Sequence, residues 1–240
     1  LRAVRPDPAR GVFTTLLAVD GRPVELDAHL RRLAASVRAL WGAALDPAAA
    51  ERVLAACREA APLARVRVIV SPGVRVEVAP LHAGRVLPEA ALELDAVRLA
   101  GGWGAHKWLD RDGLEPDGVE ALVLDLDGEP LETTRGSLVA VEGDALVTPP
   151  ADGRLLPGVT RDLLPALAVP LGLRARQAPL SLARLARADE VLVTSAVRGV
   201  QAVTRCGPLA VARGPVGAAL AGALRRRWAV AALSDSPLPA

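Results

Sequence analysis

Hydrophobic and polar positions alternate along RVRVIVSPGVRVEVAP, residues 65–80. A period of two on both sides of Ser71-Pro72-Gly73 predicts a β-hairpin with one buried face. FTTLLAVDGRPVEL, upstream of it, reads as another hairpin with its turn at Asp20-Gly21. The period changes between the two. In AHLRRLAASVRALW, the residues Leu30, Leu33, Val37 and Leu40 recur at helical spacing, with Asp27 as the expected cap. A second helix is expected from Asp46-Pro47 through Cys57.

LHAGRVLPEAA is polar and marked by proline, and it predicts a linker over 81–88 between a smaller N-terminal domain, 1–80, and a larger C-terminal one, 89–240. Beyond it, ALELDAVRLAG and ALVLDLDGEPLETT are strand-like, SLVAVEGDALVTPP is a hairpin, and LLPGVTRDLLPALAV carries the signals of a helix start. ADEVLVTSAVRGVQAV reads as strand, polar loop and strand, and a final helix is expected over about Pro215 to Leu233. With no regular βαβ rhythm and no GxGxxG, the fold class predicted is α+β in two domains rather than a dinucleotide fold.

Composition narrows the function. At 240 residues and 51% hydrophobic, the chain can bury a substantial core. A formal charge of +2, with arginines scattered among acids and few aromatic residues, lacks the footprint of a nucleic-acid binder. Apolar runs are interrupted before the roughly 20 residues that cross a bilayer. Cys57 and Cys206 form neither a disulfide framework nor a metal spacing, so both are expected as buried small residues, no metal is expected, and a reducing cytoplasm is the natural home. No signal-peptide pattern opens the chain, which begins at Leu1 and runs almost at once into Gly11-Val-Phe; the natural product is expected to extend upstream.

One residue stands out against that composition. Lys107, in GGWGAHKWLDRDGLE, is the sole lysine of a chain rich in arginine and lacking Met, Tyr and Asn. Where a generic cation suffices, such a bias converts lysine to arginine. Arginine stays protonated, whereas a desolvated ammonium can lose its proton and attack a carbonyl. A carbonyl cofactor of the pyridoxal phosphate type needs such a lysine, a carboxylate for its ring nitrogen and a cradle for its phosphate. Glu132 lies just past a turn at Asp127-Gly128; Gly158, Val159 and Thr160 open a helix whose free N–H groups suit an anion; Thr194 and Ser195 add hydroxyls between two strands; and Arg32 supplies a fixed charge.

The order of these segments, GVFTT, HLRRL, HKWLDR, EALVLDLDGEPLETTRGSL, LLPGVTRD and ADEVLVTSAVRG, resembles the class IV, or fold type IV, pyridoxal-phosphate enzymes. That family includes branched-chain aminotransferase, D-amino-acid aminotransferase and 4-amino-4-deoxychorismate lyase. The resemblance implies a D-amino-acid-aminotransferase-like two-domain fold, pyridoxal 5′-phosphate as cofactor and a homodimer. It assigns Lys107 to the cofactor aldehyde, Glu132 to the ring nitrogen, and Arg32, Val159, Thr160, Thr194 and Ser195 to cofactor binding.

Within the family, Phe13-Thr14-Thr15 resembles the lyase, since aminotransferases commonly carry an acidic residue after the aromatic one. Ser71-Pro72-Gly73 also lacks the arginine of the triplet with which D-amino-acid aminotransferases hold substrate carboxylate. The lyase resemblance implies 4-amino-4-deoxychorismate as substrate, with Thr14 or Thr15 relaying a proton to the leaving group. The substrate carboxylate is left to Arg65, Arg67, Arg75 or Arg198. A transaminase and a non-catalytic relative are the competing classes. Departures from the family pattern are Ser137 and Asp110, each where asparagine is usual, and the absence of any tyrosine.

Overall fold

The computed structural model describes residues 6–112, 114 and 120–230. In chain order its elements are β1 (Val12–Val19), β2 (Arg22–Pro23), α1 (Leu26–Trp41), α2 (Ala49–Arg58), β3 (Leu63–Val70), β4 (Val74–Pro80), β5 (Leu92–Arg98), β6 (Ala121–Leu124), β7 (Pro130–Thr133), β8 (Ser137–Glu142), β9 (Ala145–Thr148), α3 (Val159–Asp162), α4 (Leu164–Ala168), β10 (Arg174–Gln177), α5 (Leu182–Leu185), β11 (Glu190–Ser195), β12 (Gly199–Cys206), β13 (Leu209–Ala210) and α6 (Val216–Arg227).

The first sheet has the order β2-β1-β3-β4 and is antiparallel throughout. Asp20 (φ 47°) and Gly21 (φ 74°) both take positive φ, the requirement of a tight two-residue hairpin turn. Strand alternation then gives β1 two different faces. Val12, Leu16 and Ala18 lie in one core with Leu33 and Val37 of α1 and with Val53 and Cys57 of α2. Leu17 and Val19, on the other face, pack into a second core with Val139, Leu192 and Leu224. Truncating any of these leucines to alanine is expected to cost about 2–5 kcal/mol.

Two helix ends differ from the sequence reading. Helix α1 begins at Leu26 with Glu25 in the left-handed region, φ 53°, and Asp27 sits inside the first turn, where its charge still favours the helix dipole. The Glu25 carboxylate is instead paired with Arg227 at 2.6 Å. Helix α6 stops at Arg227, with Ala229 at φ 53°; the part of the expected helix beyond residue 230 lies outside the described residues. The helix start at LPGVTRD is split into α3 and α4, with Pro165 in the first turn of α4, where its missing N–H is harmless.

The second sheet has nine strands in the order β10-β9-β8-β11-β12-β5-β6-β7, with β13 on β12. Strands β7 and β8 are joined by three residues, 134–136, yet lie five strand gaps apart along the sheet. A flat sheet would separate them by about 24 Å, whereas four extended residues reach about 14 Å. The sheet therefore curls, which brings β7 back beside β8. In the segment between the sheets, Val86 and Leu87 are buried against the second core. Both cysteines are free and buried, and desolvation pushes the Cys206 thiol up to about 11.

Candidate active site

Lys107 is positioned by backbone pairing with β1. Phe13 N donates to Lys107 O at 2.9 Å, Leu109 N donates to Gly11 O at 2.9 Å, and Val12 and Trp108 form the bridge between them. Gly11 permits this approach: it has φ 98°, and a Cβ there would stand 2.3 Å from Val70 O. Alternation sends Trp108 into the core, where its Nε1 donates to Trp103 O at 3.1 Å, and leaves Lys107 on the side of Phe13. The ammonium lies 5.0 Å from the centroid of the Phe13 ring.

That side is a cavity of about 560 Å³ between the two sheets. Among the described residues its wall carries Lys107 and seven arginines against a single carboxylate, Glu132, so these groups make its field positive. Desolvation, with Arg111 and Arg32 nearby, depresses Lys107 to about 7, which makes a neutral amine accessible near neutral pH. Burial raises Glu132 to about 8 despite the surrounding cations, and its Oε2 accepts from Leu156 N at a long 3.3 Å. A protonated ring nitrogen would supply the cationic donor such a carboxylate lacks.

Arg32 reaches the cavity from α1, its guanidinium donating to Pro157 O at 3.1 Å and to Thr14 Oγ1 at 3.0 Å. Facing it are Val159 and Thr160, at the start of α3, and Thr194 and Ser195, at the end of β11. Thr194 Oγ1 is buried without a hydrogen-bond partner, an unusual state that an anion oxygen would relieve. Ser195 Oγ accepts from Arg198 N at 3.2 Å and shapes the turn. Gly158 lies so close to Ser137 that a Cβ would meet its Oγ at 2.4 Å; the missing side chain of Gly158 is what lets α3 begin there. These groups fit a phosphate next to an aromatic ring whose nitrogen reaches Glu132.

Thr15 lines the cavity and Thr14 does not. By sequence both are candidate proton relays; alternation turns Thr14 under α1, where its hydroxyl lies 2.8 Å from His29 Nδ1, so Thr14 is not one. Of the carboxylate candidates, Arg65, Arg67 and Arg198 line the cavity, while Arg75 is absent from the wall and pairs with exposed Glu77 at 3.0 Å. Arg198 is held by buried Glu120 at 2.5 Å. Arg67 stacks on Phe13 at 4.8 Å, with its Nε buried and unpartnered. His29 and Glu120 were not singled out from the sequence. The signal for His29 was its i, i+3 spacing from Arg32, which puts both on one helix face; Glu120 and Arg198 are 78 residues apart, and no local pattern connects them.

A curled sheet facing a smaller four-stranded one, with a half-buried lysine, a buried carboxylate and an anion cradle between them, defines a lysine-centred cofactor enzyme. The chain belongs to the amino-transferase class IV family, whose model matches residues 11–91 and 96–206. A 100-residue stretch is 36% identical to the branched-chain-amino-acid aminotransferase of Escherichia coli K12, covering 38% of this chain and 32% of that protein. The chain thus matches about a third of the length of that curated relative. Its fold is similar to 4-amino-4-deoxychorismate lyase from Pseudomonas aeruginosa, with TM-score 0.72, 25% identity and coverage of 94% of this chain and 95% of that one. It is likewise similar to the PLP-bound form of a hypothetical aminotransferase from Mycobacterium tuberculosis, with TM-score 0.75, 23% identity and coverage of 91% and 89%.

Proposed function

We propose that this class IV enzyme uses pyridoxal 5′-phosphate to convert 4-amino-4-deoxychorismate into 4-aminobenzoate and pyruvate. The observation that carries the reading is the excess of cations in the cavity: after a phosphate is accommodated by Arg32 and the α3 and β11 termini, Arg65 and Arg67 still face the open space. A dicarboxylate substrate answers that surplus, and an aliphatic amino acid with a single carboxylate answers it less well.

Bound there, the cofactor supplies an electron-poor ring that stabilises negative charge on the carbon bearing the substrate amine. Glu132 keeps the ring nitrogen charged. The Lys107 amine, with its depressed affinity for a proton, removes the proton from that carbon. Arg67 orients a substrate carboxylate over Phe13, and the Thr15 hydroxyl gives a proton toward the departing oxygen. The carbon–oxygen bond to the neighbouring enolpyruvyl group breaks, the six-membered ring becomes aromatic, and the nitrogen stays on the aromatic product. No amino acceptor is consumed. A two-fold dimer, in which the partner covers the open side of the cavity, and a cytoplasmic location complete the proposal.

A second reading, an amino-acid transaminase, is favoured by the identity to branched-chain aminotransferase. The two are separated by supplying 4-amino-4-deoxychorismate alone, generated by a separate synthase. The lyase releases pyruvate and 4-aminobenzoate in equal amounts over many turnovers. Conversion of an amino acid with 2-oxoglutarate, and no 4-aminobenzoate, would overturn the lyase and leave the transaminase. Sedimentation of an active monomer would remove the dimer from the proposal.

A further inference from the structure

Thr14, His29 and Arg32 form a buried chain whose hydrogen bonds are all satisfied in one direction. A guanidinium donates and never accepts, so the 3.0 Å contact from Arg32 uses a lone pair of Thr14 Oγ1. Among the described residues the buried hydroxyl proton of Thr14 has no acceptor other than His29 Nδ1, 2.8 Å away, so a ring nitrogen that accepts satisfies it, whereas an Nδ1–H would leave that proton unpaired. His29 is therefore the neutral ring with its proton on Nε2. Its setting agrees: 2% exposed, beside Arg32, it has its pKa lowered to about 3 by desolvation and by that charge. Thr14 itself is fully buried and points away from the cavity, while its strand neighbour Thr15 faces it.

We propose that Thr14 is a positioning residue for the phosphate: backed by neutral His29, it holds the Arg32 guanidinium at the cavity edge and thereby sets cofactor affinity without touching substrate. The other anchor of Arg32, the carbonyl of Pro157, belongs to the turn that leads into Gly158 and α3. Arg32 thus ties β1 to the opposite wall of the cradle. Both anchors are neutral acceptors, so no carboxylate is hydrogen-bonded to Arg32, and Asp162 and Glu132 act on its charge only through space. A carboxylate at position 14 would instead pair with it. The difference between GVFTT and the acidic aminotransferase pattern then bears on the phosphate side of the site rather than on the leaving group.

The inference rests on the cofactor reading above, and its test separates the two. Apo-protein is titrated with pyridoxal 5′-phosphate and, separately, with pyridoxal, which lacks the phosphate, while visible absorbance is followed in the wild type, Thr14→Val and Thr14→Ser. Thr14→Val should weaken binding of the phosphorylated form about tenfold or more, the scale of a lost hydrogen bond to a charged group. It should leave pyridoxal binding within about twofold, and Thr14→Ser should restore most of the loss. Inorganic phosphate alone should raise the Tm of the wild-type and Thr14→Ser apo-proteins, and raise that of Thr14→Val much less. Equal loss of both ligands, or no loss of either, would overturn the role of Thr14 while the cofactor reading stands. A wild type that takes up neither ligand would remove the cofactor reading and this inference with it.

Discussion

Phe13 and Lys107 are joined twice: the Phe13 amide donates to the Lys107 carbonyl at 2.9 Å, and the Lys107 ammonium lies 5.0 Å from the centre of the Phe13 ring. The backbone bond fixes where the lysine side chain starts, and the aromatic face supports its charged form without occupying it as a hydrogen-bond acceptor. The amine stays available for chemistry in a setting that already lowers its proton affinity.

Because Lys107 is the chain's sole lysine, trapping experiments read it directly. Borohydride added to protein loaded with pyridoxal phosphate should fix the cofactor on the peptide containing Lys107. Lys107→Arg should fold with an unchanged Tm, carry no label and release no product. Label on any other peptide, found by mass spectrometry, would contradict the assignment.

Glu132 presents a different case, since burial raises it to about 8 and leaves it largely protonated near neutral pH without the cofactor. Glu132→Gln resembles that neutral form. Apo-protein stability should therefore change by less than about 1 kcal/mol, the size of an ordinary hydrogen-bond difference. Turnover should fall about 10²-fold or more, because the amide cannot keep the ring nitrogen charged. Urea titration and product release measured side by side check both; a large stability loss with normal turnover would refute the role.

Arg67 and Arg75 lie on paired strands and differ in what they face. Arg67→Gln should raise KM for the chorismate derivative by about tenfold or more, with a smaller effect on kcat, as expected when a charged hydrogen bond to substrate is lost. Arg75→Gln, at an exposed pair with Glu77, should change neither constant appreciably. Steady-state pyruvate release provides both numbers, and equal effects at the two sites would rule out the subsite.

His29 links the site to acid stability. Its folded pKa, about 3, lies below the ordinary value of 6.5, so below about pH 6.5 the unfolded chain binds a proton that the folded chain refuses. Stability from this group is present above that range and is lost as pH falls toward 3. Between about pH 8 and about pH 5 the loss should be about 2 kcal/mol. Glu132, whose folded pKa is raised, acts in the opposite sense over pH 4.5 to 8, so the quantity to measure is the difference between wild type and His29→Asn in urea unfolding at the two pH values. Parallel pH dependence in the two proteins would remove His29 from the account.

Much of this protein was legible in its sequence because the physics involved is local. Alternation around Asp20-Gly21 and Ser71-Pro72-Gly73 defines hairpins by the side-chain period of two, and the observed registers, Val19 with Arg22 and Val70 with Val74, follow from it. The isolated lysine, the glutamate beyond a Gly turn and the LPGVT helix start were visible as residue types at points where backbone geometry is constrained. Other features were settled only by contacts between distant segments. Strand β10, exposed and arginine-rich, exists because Arg174–Gln177 pairs in parallel with Ala145–Thr148. Glu25 rather than Asp27 precedes α1, and its carboxylate pairs with Arg227, 202 residues away, a contact no local pattern reveals. Thr14 and Thr15 are the same residue type at adjacent positions, and only the packing of β1 between α1 and the cavity determined that one holds Arg32 and the other faces the cavity. Sequence period separates the two faces of a strand, but which face meets helix and which meets cavity depends on what the rest of the chain lays against each.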